Sequence, residues 1–333
     1  MRPSTKQTIT AVGVAVGATV AASVGNYLTT RYLVKIALDH EKPRMVEKTE
    51  RVIEKTGRSI AGSEKNEAFL EELRAASERL AARENVVVDI TAHDGEKLVG
   101  HWIPAQNPKR IIIAMHGWRG SWHKDFGLVA DAYRENGCGV LYAEQRGQNN
   151  SGGGDYMGFG LTERYDCLDW VNAANKQYGS KLPIYLCGVS MGATTVLMAA
   201  GLDLPQNVRG IIADCGYTSP AAIWKHVANN NLHITYGIRS VFADMMFREK
   251  NLVGLDDYST VEALKNTNVP VLLIHGSDDH FVPVEMTYEN YMACASPKRL
   301  LIVPGADHGM SYYLEREKYE DTVKAFWAEH DGD

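Results

Sequence analysis

The chain has 333 residues, 45% of them hydrophobic and 23% charged, a composition that excludes a disordered chain and suffices for one large core or two modest ones. A net charge of -6, without any Lys/Arg-rich stripe interleaved with aromatics, excludes nucleic acid as a partner, because phosphate recognition needs a clustered basic surface. The five cysteines, Cys138, Cys167, Cys187, Cys215 and Cys294, are scattered and form no C-x-x-C pair, which fits buried free thiols in a reducing, cytoplasmic setting better than a disulfide framework or a zinc site.

From Thr8 to Leu28 the chain carries no charge and is rich in Ala, Val and Gly, long enough as a helix to cross a bilayer. Gly13, Gly17, Ala21 and Gly25 recur with the small-residue spacing that lets membrane helices approach closely. A retained anchor is the leading reading of residues 1–30, with a cleaved signal peptide or an Ala-rich docking helix as alternatives. Arg2 and Lys6 precede the run and Arg31 and Lys35 follow it, so the positive-inside rule assigns no side of the membrane.

Residues 31–84 read as a charged helical linker. Within it, 44–84 alternates charge with apolar positions such as Phe69, Leu70, Leu73 and Leu80, as in an exposed amphipathic connection. A domain start is expected at about residue 85, where Val86 to Ile90 and Lys97 to Ile103 are β-like and joined through Asp94-Gly95, a hairpin signal. Short apolar runs then alternate with helical patterns: Ile111 to Met115, Gly139 to Ala143, Ile184 to Cys187, Gly210 to Asp214, Val271 to Ile274 and Leu300 to Val303. Unbroken apolar strands separated by helices predict a mostly parallel sheet covered on both faces, with the antiparallel start at one edge. The alternation lapses between about 218 and 266, which reads as a small helical cap around Trp224 to Ala228 and Ile238 to Arg248.

The run Gly188-Val189-Ser190-Met191-Gly192 is a G-x-S-x-G motif, weak alone but decisive in context. It follows the strand Pro183 to Cys187 and opens the helix-forming run Met191 to Ala200, as a nucleophile elbow requires. The glycines allow a sharp strand-to-helix turn, so the Ser190 hydroxyl projects at a helix N-terminus. A serine nucleophile needs a base, and the base an acid to hold it. Downstream strands run into His275-Gly276-Ser277-Asp278-Asp279-His280-Phe281-Val282-Pro283 and into Pro304-Gly305-Ala306-Asp307-His308-Gly309, so the chain order is Ser, Asp, His at the carboxyl edge of the sheet.

On these residues the chain resembles the α/β-hydrolase superfamily from Val86 to the C-terminus, in the branch with serine aminopeptidase-like and prolyl-oligopeptidase-like members, among them bacterial hydrolases with an N-terminal anchor. The resemblance implies an α/β-hydrolase fold with an eight-stranded sheet. The family loop H-G-x-x-D-x-x-V-P assigns the acid to Asp279 rather than Asp278, with Asp214 as the alternative, and the base to His308. His116-Gly117-Trp118 resembles the family's H-G-x motif, which makes the Trp118 backbone N–H one oxyanion donor, the Met191 N–H being the other. The remaining histidines, His116, His275 and His280, read as turn braces or exposed groups. Gln145 to Gly154 resembles the D-x-R-G-x-G-x-S loop, departing from it at Glu144 and Gln148. Neither a cofactor nor a metal is expected.

The expected activity is hydrolysis of a carboxylic ester through an acyl-enzyme, with a peptidase or amidase as the alternative and a non-catalytic membrane-tethered binding module as the remote one. The partner is then a small ester or a short peptide. Trp224, His226, Tyr236, Phe242, Met245, Met246 and Phe247 of the cap either line its pocket or pack the cap onto the body.

Overall fold

The computed structural model describes residues 23–40, 67–152 and 156–332. Eight strands form one sheet: β1 (Val86–Thr91), β2 (Lys97–Ile103), β3 (Arg110–Met115), β4 (Cys138–Ala143), β5 (Ile184–Val189), β6 (Val208–Asp214), β7 (Val271–Gly276) and β8 (Lys298–Val303). Their order is β1-β2-β4-β3-β5-β6-β7-β8, and β2 alone runs opposite to the rest. The parallel sheet with an antiparallel edge is as the strand pattern predicts, and the whole is the α/β-hydrolase fold that the resemblance implies.

The helices are α1 (23–38), α2 (Glu67–Ala81), α3 (Trp122–Phe126), α4 (Ala130–Glu135), α5 (Glu163–Tyr178), α6 (Met191–Ala199), α7 (Pro220–His226), α8 (Arg239–Asn251), α9 (Thr260–Lys265), α10 (Val284–Ala293), α11 (Ser311–Leu314) and α12 (Arg316–His330). The two-residue period of the strands divides their side chains between two cores. Ile112 and Ala114 of β3 join α2, α3, α4 and α12 on one face, whereas Ile111, Ile113 and Met115 join α5 and α6 on the other. Each of the buried isoleucines contributes about 1.5–3 kcal/mol by leaving water, so the central strands hold the platform rigid under the site.

A third cluster joins α1 to the cap helices, with Val34 and Leu38 buried among Phe159, Met191, Ile223, Ala243 and Phe247. Residues 8–22 of the uncharged N-terminal run lie outside the described residues, and 23–28 open α1. Among the described residues no helix is long and apolar enough to cross a membrane.

The charged helical linker expected over 31–84, read as an exposed amphipathic connection over 44–84, packs onto the body in both of its described parts. Residues 31–38 belong to α1 and bury Val34 and Leu38, and α2 buries Phe69, Ala76, Ser77 and Leu80 against the body. The spacing of those α2 positions is a true apolar stripe. A Cβ on Gly127 would stand 2.8 Å from Ala76 C and Ser77 N, so the α2 backbone rests directly on that glycine. Ser77 Oγ and His123 Nδ1 are hydrogen-bonded at 2.8 Å, and Arg83 pairs with Asp131 and Glu72 with Arg316.

Candidate active site

The register aligns the carboxyl ends of the central strands: Met115 lies beside Gly188, Val189 beside Asp214 and Gly276 beside Val303. Whatever follows each strand therefore meets at one edge. Ser190 takes φ 55°, ψ -117°, a conformation that costs a side-chain-bearing residue about 1–3 kcal/mol and persists because the surroundings enforce it. A Cβ on Gly192 would stand 1.9 Å from Met115 O, and one on Gly188 2.2 Å from Gly192 O, so both flanking positions exclude any other residue. The Ser190 N–H donates to Asp214 O at 2.8 Å and fixes the turn on the neighbouring strand.

Ser190 Oγ lies 3.0 Å from His308 Nε2, and His308 Nδ1 lies 2.7 Å from Asp279 Oδ2. Oδ1 of Asp279 accepts from the N–H groups of Phe281 and Val282 at 2.9 and 2.8 Å. Burial alone would raise the Asp279 carboxyl, but the charge of His308 and hydrogen bonds from His275 and His308 hold it well below the usual carboxylate range. The reverse holds for His308, where burial lowers the imidazole but the Asp279 carboxylate carries it well above its ordinary value. This run of groups can take a proton from a serine hydroxyl and return it to a leaving group.

Asp214, open as the alternative acid, makes no hydrogen bond to His308; its Oδ1 accepts from Ser311 Oγ at 3.3 Å. Burial pushes its carboxyl up to about 6. Asp278 accepts from Ser277 Oγ and is exposed.

His275 is a brace, but one on the acid itself. Its Nε2–H faces Val282 O at 2.9 Å and Asp279 Oδ2 at 3.2 Å, while Nδ1 lies 2.6 Å from Thr287 Oγ1. His116 holds the loop after β3, its Nδ1–H donating to Gly117 O at 2.8 Å and its Nε2 accepting from Gln145 N at 3.1 Å. The exposed His280 touches Asp307.

The Met191 N–H opens α6, where an amide has no intrahelical acceptor. Trp118, in the loop after β3, lines the same cavity as Ser190. Asp125 Oδ2 accepts the Gly117 N–H at 2.6 Å and Gln148 Oε1 accepts the Arg119 N–H at 2.7 Å, so the Trp118 amide is held from both sides. Sequence reasoning missed Asp125, and it left open the role of Gln148; a side chain that serves a distant backbone amide leaves no pattern. Glu144 braces the loop after β4, accepting from Asn150 N at 2.7 Å and from His101 Nε2 of β2 at 2.8 Å.

A cavity of about 440 Å³ opens on Ser190, His308 and Trp118 and reaches Phe69 and Leu73 of α2. None of the seven cap residues singled out above lines it. Trp224, Tyr236, Met246 and Phe247 pack into the cap cluster instead, with Trp224 meeting Phe159 and Phe247 edge-on at ring distances of 5.3 and 5.7 Å, whereas Met245 is exposed. Cys215 Sγ lies within 4.8 Å of the nearest ligand atoms of Asp279 and His308, and burial raises its thiol.

The uncharacterized protein YqkD of Bacillus subtilis is 28% identical over 230 residues, which span 68% of this chain and 73% of that protein. The esterase Pf2001 of Pyrococcus furiosus superposes with a TM-score of 0.63 at 22% identity, covering 76% of this chain and 94% of that one. An acylaminoacyl peptidase superposes with a TM-score of 0.56 at 16% identity, covering 74% of this chain and 42% of that one. The model of the prolyl oligopeptidase family matches residues 125–333, well over half of the sequence. With that match and an elbow serine at the sheet edge, the chain belongs to the prolyl oligopeptidase family and is a serine hydrolase.

Proposed function

We propose that this hydrolase is an esterase that cleaves carboxylic esters through an acyl-enzyme. The observation that carries the reading is the hydrogen-bonded run Ser190–His308–Asp279 opening on a cavity walled largely by apolar side chains. Ser190 Oγ bonds to the acyl carbon as its proton passes to His308 Nε2, and the N–H groups of Met191 and Trp118 stabilise the oxyanion. The bond to the alcohol oxygen then breaks, and His308 returns the proton to that oxygen. Water, deprotonated by His308, releases the acid and restores Ser190.

Family membership favours a peptidase as the second reading, because the same groups cleave amides. An aminopeptidase needs carboxylates facing a free amine beside the serine. The acidic residues of the cap do not serve that end: Asp244 and Asp257 pair with Arg248, and none of Asp244, Glu249, Asp256 and Asp257 lines the cavity.

The test sets p-nitrophenyl esters against aminoacyl-naphthylamides on the full chain, with a fluorophosphonate probe alongside. Ester turnover and probe labelling, both lost in Ser190→Ala, are the expected result. Naphthylamide turnover without ester turnover favours the peptidase, and absence of labelling favours a binding module. The uncharged run 8–28 supports attachment to a membrane, which fractionation of cells expressing the full chain would test.

A further inference from the structure

We propose that the cavity beside Ser190 is an acyl-chain site for unbranched, uncharged acyl groups longer than acetyl, and that α2 sets the length it accepts. The proposal rests on the esterase reading and adds the class of acyl group. Its walls come from separate parts of the fold: Phe69 and Leu73 of α2, Leu128 and Val129 before α4, Tyr133 within α4 and Tyr319 of α12. At about 440 Å³ the space lies at the low end of the roughly 300–1,000 Å³ usual for ligand pockets and leaves room beyond what an acetyl group fills.

The ionisable groups along the cavity are turned to the protein's own atoms. Asp125 accepts from Gly117 N–H, Asp307 from His280 N–H and Asp214 from Ser311, and Arg119 donates to the carbonyls of Ile36 and Asp39. Lys124, the remaining cation on the lining, is exposed. A neutral hydrocarbon chain therefore matches the interior, and a charged acyl group does not.

α2 can act as a gauge because it is locked in place. Gly127 takes its backbone, the Phe69 ring meets that of Tyr313 edge-on with centroids 4.9 Å apart, and Glu72 pairs with Arg316. Leu73 is half-buried and lines the cavity, so a larger residue there enters the space rather than the core.

The experiment measures kcat/KM of the full-length enzyme on straight-chain p-nitrophenyl esters from acetate to palmitate, with p-nitrophenyl benzoate as an aromatic comparison. The wild type is expected to peak at a chain longer than acetate. Leu73→Trp should lower kcat/KM on the octanoate by about tenfold or more while the acetate changes by less than about threefold, and Leu73→Ala should move the optimum to longer chains. Probe labelling of Ser190 at the wild-type rate shows that each variant is folded. An equal loss on acetate and octanoate in Leu73→Trp, a wild-type optimum on acetate, or a preference for the benzoate overturns the acyl-chain site while leaving the esterase reading intact. No ester turnover by a probe-reactive enzyme overturns both.

Discussion

The indole Nε1–H of Trp118 donates to the carbonyl of Ala37 across 2.9 Å, tying the loop after β3 to the last turn of α1. Arg119 adds to the tie through Ile36 O and Asp39 O at 2.7 and 2.8 Å, and Leu38 O accepts from Met157 N at 3.0 Å. Two terminal carbonyls of α1, those of Ile36 and Ala37, are thus satisfied by the loop that carries the proposed oxyanion amide. Deleting residues 1–40 should leave a folded hydrolase whose kcat falls by about tenfold or more, short of the roughly 10²–10³ that loss of an oxyanion donor costs. Trp118→Phe, which keeps the ring and removes the donor, should lie between the two proteins. Full kcat in the truncated enzyme, measured beside its thermal unfolding, would refute the coupling.

The Asp279 carboxylate raises His308, and the base must be neutral to accept the serine proton. Ester kcat/KM should therefore climb with pH along a limb centred above the ordinary imidazole value of about 6.5. Asp279→Asn removes the cause of the rise, so the limb moves to lower pH while kcat drops on the order of 10³–10⁴-fold. A limb that stays in place in the variant would disconnect Asp279 from His308.

Asp214 yields a prediction about stability. Its folded value of about 6 exceeds the ordinary 3.8, so the native state holds that proton more tightly than the unfolded chain does. The contribution is fully present below pH 4 or so and is lost as pH rises through about 6, leaving a penalty of ~3 kcal/mol at higher pH. Asp214→Asn should narrow the gap between stabilities measured by denaturant unfolding at pH 5 and pH 8. An unchanged gap would mean that another group sets the dependence.

Gly127→Ala isolates the docking of α2. The added methyl would stand 2.7 Å from His123 O and 2.8 Å from Ala76 C, both backbone atoms that cannot step aside. We expect a destabilisation of about 1–3 kcal/mol together with a flattened dependence on ester chain length, the acetate rate changing least. Chain-length dependence retained in a destabilised variant would show that α2 has not moved.

The parts of this molecule written in local patterns could be read from the chain alone. The strands declared themselves by unbroken apolar runs, and Ser190 by a motif set between a strand and a helix. Asp279 and His308 lie in strand-end loops whose order matches the family, and the structure brings both to Ser190. The position of α2 was hidden because an amphipathic stripe says that a face is covered without saying by what. The aromatic cap residues were ambiguous for a related reason, since apolar side chains suit a pocket wall and a packed core equally. Long-range ties to main-chain atoms, such as Asp125 to Gly117 N–H and Trp118 to Ala37 O, left no trace, because any residue supplies the backbone half of the bond.

The family match begins at residue 125, so α2 lies wholly outside it. The atoms that react and the helix that gauges the chamber are thus encoded in different stretches of chain, and nothing obliges them to diverge together. A lineage can alter those fifteen residues and change its diet while the elbow and its partners stay untouched. Relatives recognised through the matched region alone need not share this chamber.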